Sequence, residues 1–304
     1  MLKIAIDVLG GDLPLDEILE GVVKTIEENP NVEPLIIGPK DIIDGFFAGK
    51  NIKIPEIIDA RREVDNYTNP TTMLHDQDDS ALVISYNTLK NREDVGALIT
   101  CSATGCVIVG SIFHLGLKDG LRMPLLGALL KHSNGDDFLL ADCGANLDVR
   151  AKDLVKFAEL GTEYMKAQSN LANPRVGLLS NGKEDGKGNA QIKETFGLLK
   201  ADENINFVGN VEASDIFDNL CDVLVCDGMI GNVVLKTAES VALLVNSWGD
   251  CKEINDKVSS QFAYNDMAGS ILIGTSKPII KAHGKANRNT ILGCYRQLLK
   301  RLGY

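Results

Sequence analysis

Short apolar runs alternate with stretches of helical periodicity along most of this chain. Residues 2–8 (LKIAIDV) make a run of strand length, and Ile18, Leu19, Val22, Val23 and Ile26 then recur at helical spacing. Pro34 to Ile37 and residues 95–100, 124–130, 138–142, 175–179, 205–208 and 222–226 repeat the strand signature. Helical patterns lie between most of them, as at 151–168 and 231–246. Strands alternating with helices predict an α/β protein with a mostly parallel sheet covered by helices on both faces. No short repeat, low-complexity tract or Pro/Ser-rich linker interrupts the pattern. The expectation is one α/β unit over residues 1–304, with a division into two lobes left open.

Composition narrows the function. The chain has 304 residues, 44% of them hydrophobic, enough for a large core. Its 31 Lys and Arg against 42 Asp and Glu give a net charge of -11, which argues against nucleic-acid binding through a basic field. Aromatic residues make up 5%, too few for an array of base-stacking platforms. No stretch reaches the ~18 consecutive apolar residues of a membrane span, and the N-terminus lacks the features of a signal peptide. The compartment expected is therefore the cytoplasm. Cys101, Cys106, Cys143, Cys221, Cys226, Cys251 and Cys294 are odd in number and several sit in apolar runs, as buried free thiols would. None belongs to a zinc-type array with histidine, so no metal is expected.

The turns after the strands carry the candidate chemistry. Strand 2–8 leads into Gly10-Gly11-Asp12, and strand 95–100 into Cys101-Ser102-Ala103-Thr104-Gly105. Strand 138–142 leads into Cys143-Gly144-Ala145-Asn146, and strand 175–179 into Ser180-Asn181-Gly182 and on to Gly186-Lys187-Gly188-Asn189. Strand 222–226 leads into Asp227-Gly228-Met229-Ile230-Gly231-Asn232, and Pro278 to Lys281 into Ala282-His283-Gly284. Ligands of open α/β sheets bind outside the carboxyl ends of the strands. Glycine lets backbone N–H groups approach a ligand, and helix N-termini favour anions. Six such turns predict one crevice for a phosphate-like or carboxylate ligand, although tight-turn geometry explains any single glycine equally well. The common nucleotide motifs are absent. No G-x-G-x-x-G follows a strand, and Gly182 to Lys187 is one residue short of a Walker A loop, with Gly188 where Ser or Thr belongs.

Taken together, these segments resemble the phosphate acyltransferase family PlsX (acyl-ACP:phosphate acyltransferase). The residues that carry the resemblance are KIAIDVLGGD (3–12), DCGANLD (142–148), NPRVGLLSNGKEDGKGN (173–189), INFVGNVEASDIFD (205–218), CDVLVCDGMIGNVVLKT (221–237) and KPIIKAHG (277–284). The resemblance implies an isocitrate/isopropylmalate-dehydrogenase-like α/β fold, shared with phosphate acetyltransferases, and a homodimer. It implies that inorganic phosphate attacks the thioester of an acylated acyl carrier protein (ACP), giving acyl phosphate for phospholipid synthesis without a cofactor. Lys187 and Asn189 match the family's KGN loop and are expected to place phosphate and orient hydrogen bonds. Asn232 and Lys236 match its GNVxLK segment, one helical turn apart. His283 follows the last strand and is expected to protonate the leaving thiolate. Gly10, Gly11, Asp12, Thr104, Gly105, Asn146, Asp227, Gly228 and Gly231 are expected around phosphate or substrate. A solvated helix end for each lysine, and a hydrogen-bonded turn for His283, are the structural alternatives. His75, His114 and His132 are expected to be structural.

The chain departs from the family at several loops. Leu13 stands where a histidine is usual, MLHDQDDS (73–80) replaces a basic segment, Ala103 replaces an asparagine, Ile230 a threonine and Ala268 a glycine. These changes keep two alternatives open: a paralog making acetyl phosphate from a protein-bound acetyl thioester, and a non-catalytic ACP-binding scaffold. Cys106, expected at a helix N-terminus where a thiolate is favoured, is a candidate acyl carrier in the first. Residues 246–266 are short and polar against the family, and Ile254, Val258 and Phe262 suit a core stripe, so only weak peripheral membrane contact is retained. Residues 277–304 carry seven basic side chains and no acid, and the basic side of this last helix is a candidate surface for an acidic carrier or anionic lipid.

Overall fold

The computed structural model describes residues 1–248 and 269–304. They divide into two compact units: Met1–Gly120 with the described part of Met267–Tyr304, and the described part of Leu121–Asp266. In chain order the first unit begins with β1 (Lys3–Asp7), α1 (Leu15–Glu28), β2 (Glu33–Gly38), α2 (Lys40–Phe47) and β3 (Glu56–Asp59). It continues with α3 (Pro70–Asp76), α4 (Ala81–Asn91), β4 (Val95–Thr100) and α5 (Thr104–Leu115). The second unit holds β5 (Leu125–Lys131), β6 (Asp137–Ala141), α6 (Ala151–Ser169), β7 (Arg175–Ser180), α7 (Ala190–Ala201), β8 (Asn206–Glu212), β9 (Val223–Val225) and α8 (Gly228–Trp248). The chain returns to the first unit as β10 (Ser270–Ile273), β11 (Ile279–Lys281) and α9 (Arg288–Leu302).

The strands of the first unit lie in the order β3-β2-β1-β4-β11-β10. All their pairings are parallel except β10 with β11. Ile4, Ala5 and Ile6 are wholly buried in succession, as are Leu35, Ile36 and Ile37, so both faces of this sheet are covered. That coverage is why these strands read as unbroken apolar runs. β1 has β2 on one side and β4 on the other. The chain reverses its direction of sheet growth there, and such a switch point opens a crevice at the strands' carboxyl ends. α9 closes the unit against α1. Its stripe of Ile291, Leu292, Tyr295, Leu298 and Leu299 is buried, and the Tyr295 hydroxyl donates to Val32 O at 2.8 Å. A β-carbon on Gly21 would come 2.7 Å from Ile291 Cβ, so the two helices cross closely only because residue 21 has none.

The second unit orders its strands β5-β6-β9-β7-β8, with β5 antiparallel to β6 and the other pairs parallel. β9 returns between β6 and β7, so the loops leaving these three strands are neighbours. Arg175 fixes the opposite end of this sheet. Its guanidinium donates to both carboxylate oxygens of Asp222, at 3.1 and 2.8 Å, and to the side chain of Asn219 at 2.6 Å. His132, stacked on Phe138, bonds Cys221 O through Nε2 and accepts from Asn219 N at Nδ1, the structural role expected of it. The mostly parallel α/β architecture expected from the sequence is thus present in each unit. β3, β10 and helices α2 to α4 add elements that the apolar pattern had not marked. The segment with Ile254, Val258, Phe262 and Ala268 lies outside the described residues.

Candidate functional site

Three of the six predicted loops belong to each unit. In the first unit the loop after β1 is held between the loops after β4 and β11. Gly10 has φ +78°, and a β-carbon on it would sit 3.0 Å from Ser102 Cα. A β-carbon on Gly11 would be 3.5 Å from Gly284 O, and Asp12 N donates to the same oxygen at 2.5 Å. Gly10, Gly11, Asp12 and Gly284, with half-buried His283 beside it, therefore gather at the end of the sheet. Thr104 opens α5, and Gly105 lies at its first turn against Pro70.

Beneath these loops lies a carboxylate to which the sequence reading gave no role. Asp7 is wholly buried at the end of β1. Its Oδ2 accepts from Thr100 Oγ1 at 2.8 Å and Ser102 Oγ at 3.0 Å, and its Oδ1 from Leu9 N at 3.1 Å. Burial pushes its carboxyl up to about 6, against the downward pull of Thr100, Leu9 N–H and Ser102. Asp7 ties the β1 and β4 loops together from below.

The second unit repeats this device. Asp142, buried after β6, accepts from Gly144 N and Ala145 N at 3.1 Å through Oδ1. Its Oδ2 accepts from Asn146 N at 2.8 Å and Asn146 Nδ2 at 2.6 Å. Burial pushes this carboxyl up, and the Ala145 and Asn146 donors oppose the rise. Asn146 also donates to Pro124 O, and its own carbonyl accepts from Gly228 N at 2.8 Å. A β-carbon on Gly228 would come 2.8 Å from Asn146 O, and one on Gly231 would overlap Asp142 O. These glycines let the first turn of α8 rest on the 142–146 loop. The signal that could have found both carboxylates was an aspartate closing an apolar strand immediately before a glycine-containing loop.

Lys187 and Asn189 stand on the loop from β7 to α7. Asn181 Oδ1 accepts from Gly188 N at 2.8 Å, and Asn210 Nδ2 donates to Glu184 O at 2.9 Å, which pins the loop at two points. Lys187 is about half exposed, its stem lies over Gly182, and its ammonium is 3.9 Å from Glu184. Asn189 caps α7, its Oδ1 accepting from Ile192 N at 2.9 Å. Asp227 caps α8 in the same way, accepting from Ile230 N at 2.8 Å. Asn189 and Asp227 line a hollow of about 510 Å³ together with Asn181, Leu179, Ile192 and Val234. Asn232 and Lys236 line a different, more open hollow along α8, and Lys236 pairs with Glu239 at 2.8 Å. A step of two residues turns a helix by about 200°, so Asn232 and Lys236 lie across α8 from Ile230 and Val234. Asn232 approaches Gly144, and through that loop Asn146.

Three further expectations change. Cys106 does lie in the first turn of α5, but it is buried, donates to Thr68 O, and burial pushes its thiol up to about 11. It is thus a poor nucleophile at neutral pH. The described cysteines are all buried free thiols, as expected, and Cys251 lies outside the described residues. The basic C-terminal segment 277–304 is partly engaged: on its helix Arg288 pairs with Glu17 and Arg296 with Glu28, and before β11 Lys277 donates to the Leu89, Arg92 and Val95 carbonyls. Finally, α8 is long and apolar enough to cross a membrane by length and composition, because its polar residues are dispersed among Val, Leu and Ala. Val233, Val241, Leu243, Leu244 and Trp248 on it are exposed.

The chain as a whole is similar to known proteins. A family model described as "Fatty acid synthesis protein" matches residues 2–250. The chain is 33% identical to the phosphate acyltransferase of Bacillus subtilis strain 168, over 97% of this chain and 93% of that protein. It is 35% identical to the phosphate acyltransferase of Bacillus pumilus, over 97% and 92%. Among solved structures, a phosphotransacetylase from Streptococcus pyogenes superposes with a TM-score of 0.67 at 14% identity, covering 98% of this chain and 93% of that one. A 4-hydroxythreonine-4-phosphate dehydrogenase from Klebsiella pneumoniae gives 0.57 at 10% identity, over 99% and 98%. The structural likeness shows the expected dehydrogenase-like fold, and the near full-length sequence likeness shows that the chain belongs to the phosphate acyltransferase family.

Proposed function

We propose that this protein transfers a fatty acyl group from acyl-ACP to inorganic phosphate, releasing ACP and giving acyl phosphate for phospholipid synthesis. The observation that carries the reading is the likeness to phosphate acyltransferases over 97% of the chain. In the reaction, a phosphate oxygen attacks the thioester carbonyl, a C–O bond forms, and collapse of the tetrahedral adduct breaks the C–S bond. The site must hold the dianion, stabilise the oxyanion and supply a proton to the thiolate. Lys187 meets the first need; within each unit the glycine turns, at Gly10, Gly11 and Gly105 in the first and at Gly228 and Gly231 in the second, allow close backbone approach. Asn189 and Asn232 donate orienting hydrogen bonds, and Lys236 offsets the developing charge. His283 protonates the leaving sulfur. Asp12, Thr104, Asn146 and Asp227 shape the surrounding loops. The protein acts in the cytoplasm as a homodimer, with no more than peripheral membrane contact; the exposed apolar residues of α8 support a contact surface.

The test is acyl phosphate formation from purified protein, phosphate and palmitoyl-ACP, trapped with hydroxylamine, with acetyl-ACP and acetyl-CoA in parallel. Turnover with palmitoyl-ACP is expected. Turnover with acetyl donors alone would replace the proposal with an acetyl phosphate-forming paralog, and inertness toward all three would leave a scaffold. Light scattering after gel filtration checks the dimer.

A further inference from the structure

We infer that the hollow between α7 and α8 is the acyl-chain subsite, and that Ile192, Ile230 and Val234 set the chain length it accepts. The inference rests on the acyl-transfer reading above. The hollow measures about 510 Å³, within the usual ~300–1,000 Å³ of small-molecule sites. Leu179 at the end of β7, Ile192 in the first turn of α7, and Ile230 and Val234 one turn apart on α8 supply its apolar wall. Cys226, also in the wall, donates its thiol to Asp142 O at 3.4 Å and so offers the hollow no free polar hydrogen.

Charge selects the occupant. Asp227 is the charged side chain in the lining, and a carboxylate repels phosphate. Of the two substrates in the proposed reaction, only the uncharged acyl chain is compatible with this space. Two groups of the polar rim are committed: Asn189 and Asp227 turn acceptor oxygens to Ile192 N and Ile230 N, whereas the buried Ser180 Oγ in the lining has no hydrogen-bond partner among the described residues. Asn189 and Asp227 cap the two helices that carry the apolar wall, and so fix Ile192 and Ile230 in place. Burying one chain methylene there favours binding about fourfold, so the depth of the hollow translates into chain-length preference.

The test compares Val234→Phe and Ile230→Phe, which fill the hollow, with Ile192→Ala, which enlarges it. Two readouts are taken. One is acyl phosphate formation from acetyl, butyryl, decanoyl and palmitoyl donors. The other is calorimetric binding of a non-hydrolysable S-decyl pantetheine thioether. Filling is expected to lower kcat/KM for decanoyl and palmitoyl donors at least ~10-fold, with acetyl within about twofold, and to weaken thioether binding at least ~10-fold. Ile192→Ala should favour the longer chains. Ile230 is 45% exposed, so its replacement keeps the test alive if Val234→Phe does not fold. Turnover with no chain-length effect in either filled variant would sink the subsite and leave the reaction standing. Thioether binding that filling abolishes, in a protein that turns over no donor, would keep the subsite and sink the reaction. Absence of both binding and turnover overturns both.

Discussion

Gly231, in the first turn of α8, lies directly against the carbonyl oxygen of Asp142. A β-carbon at 231 has nowhere to go, because the obstacle is backbone already fixed by β6 and by the bonds of the Asp142 carboxylate. Gly231→Ala is expected to lower stability by about 1–3 kcal/mol, the usual range for overpacking. Urea unfolding measures it. Gly186→Ala, at an exposed position with open space around it, should change stability by no more than about 0.5 kcal/mol. Equal effects at the two sites would refute the packing account.

Asp7 links stability to pH. Its carboxyl is pushed up to about 6 in the folded protein, from 3.8. A raised carboxyl binds its proton more tightly in the folded state, so its contribution is full below pH 3.8 and is lost as pH rises through 6. Asp7→Asn cannot titrate. The stability of the wild type relative to Asp7→Asn should therefore fall by roughly 1 kcal/mol between pH 5 and pH 7.5. Denaturation curves of both proteins at the two pH values decide this, and a difference independent of pH would remove Asp7 as the titrating group.

Lys187→Ala separates function from folding. The side chain is about half exposed, and its nearest carboxylate, on Glu184, is 3.9 Å away. Turnover is expected to fall at least ~100-fold, as when a charge partner of the transition state is lost. The melting temperature should stay within a degree or two. Near-wild-type kcat would end the role proposed for this lysine.

Cys106→Ser should retain activity within about threefold, and the native protein should resist thiol reagents at this position. With the thiol pushed up to about 11 by burial, only a small fraction is thiolate at pH 7.5. Mass spectrometry after brief iodoacetamide treatment tests labelling. Rapid modification of Cys106 that tracks inactivation would restore the acyl-enzyme alternative.

Much of the architecture was legible because most strands of each unit are buried on both faces. Runs such as Ile4-Ala5-Ile6 and Leu35-Ile36-Ile37 announce themselves without knowledge of their partners. The short, half-exposed β3 has no such run: Glu56 and Asp59 flank only two isoleucines. The loops after the strands were equally readable, since glycine and asparagine are punctuation wherever they occur.

By itself, then, the sequence determined the alternation of strands and helices, the family, and which side chains stand on the loops at the strand ends. Local spacing and composition carry that information. Tertiary structure alone decided what those side chains touch. It set Asn189 and Asp227 as helix caps, buried Asp7 and Asp142 beneath the loops, and sealed Cys106 away from water. It also put Asn232 and Lys236 across α8 from the apolar hollow. Burial, close backbone approach and ionisation depend on atoms distant in the chain, so they become defined only when each unit gathers its own strand ends.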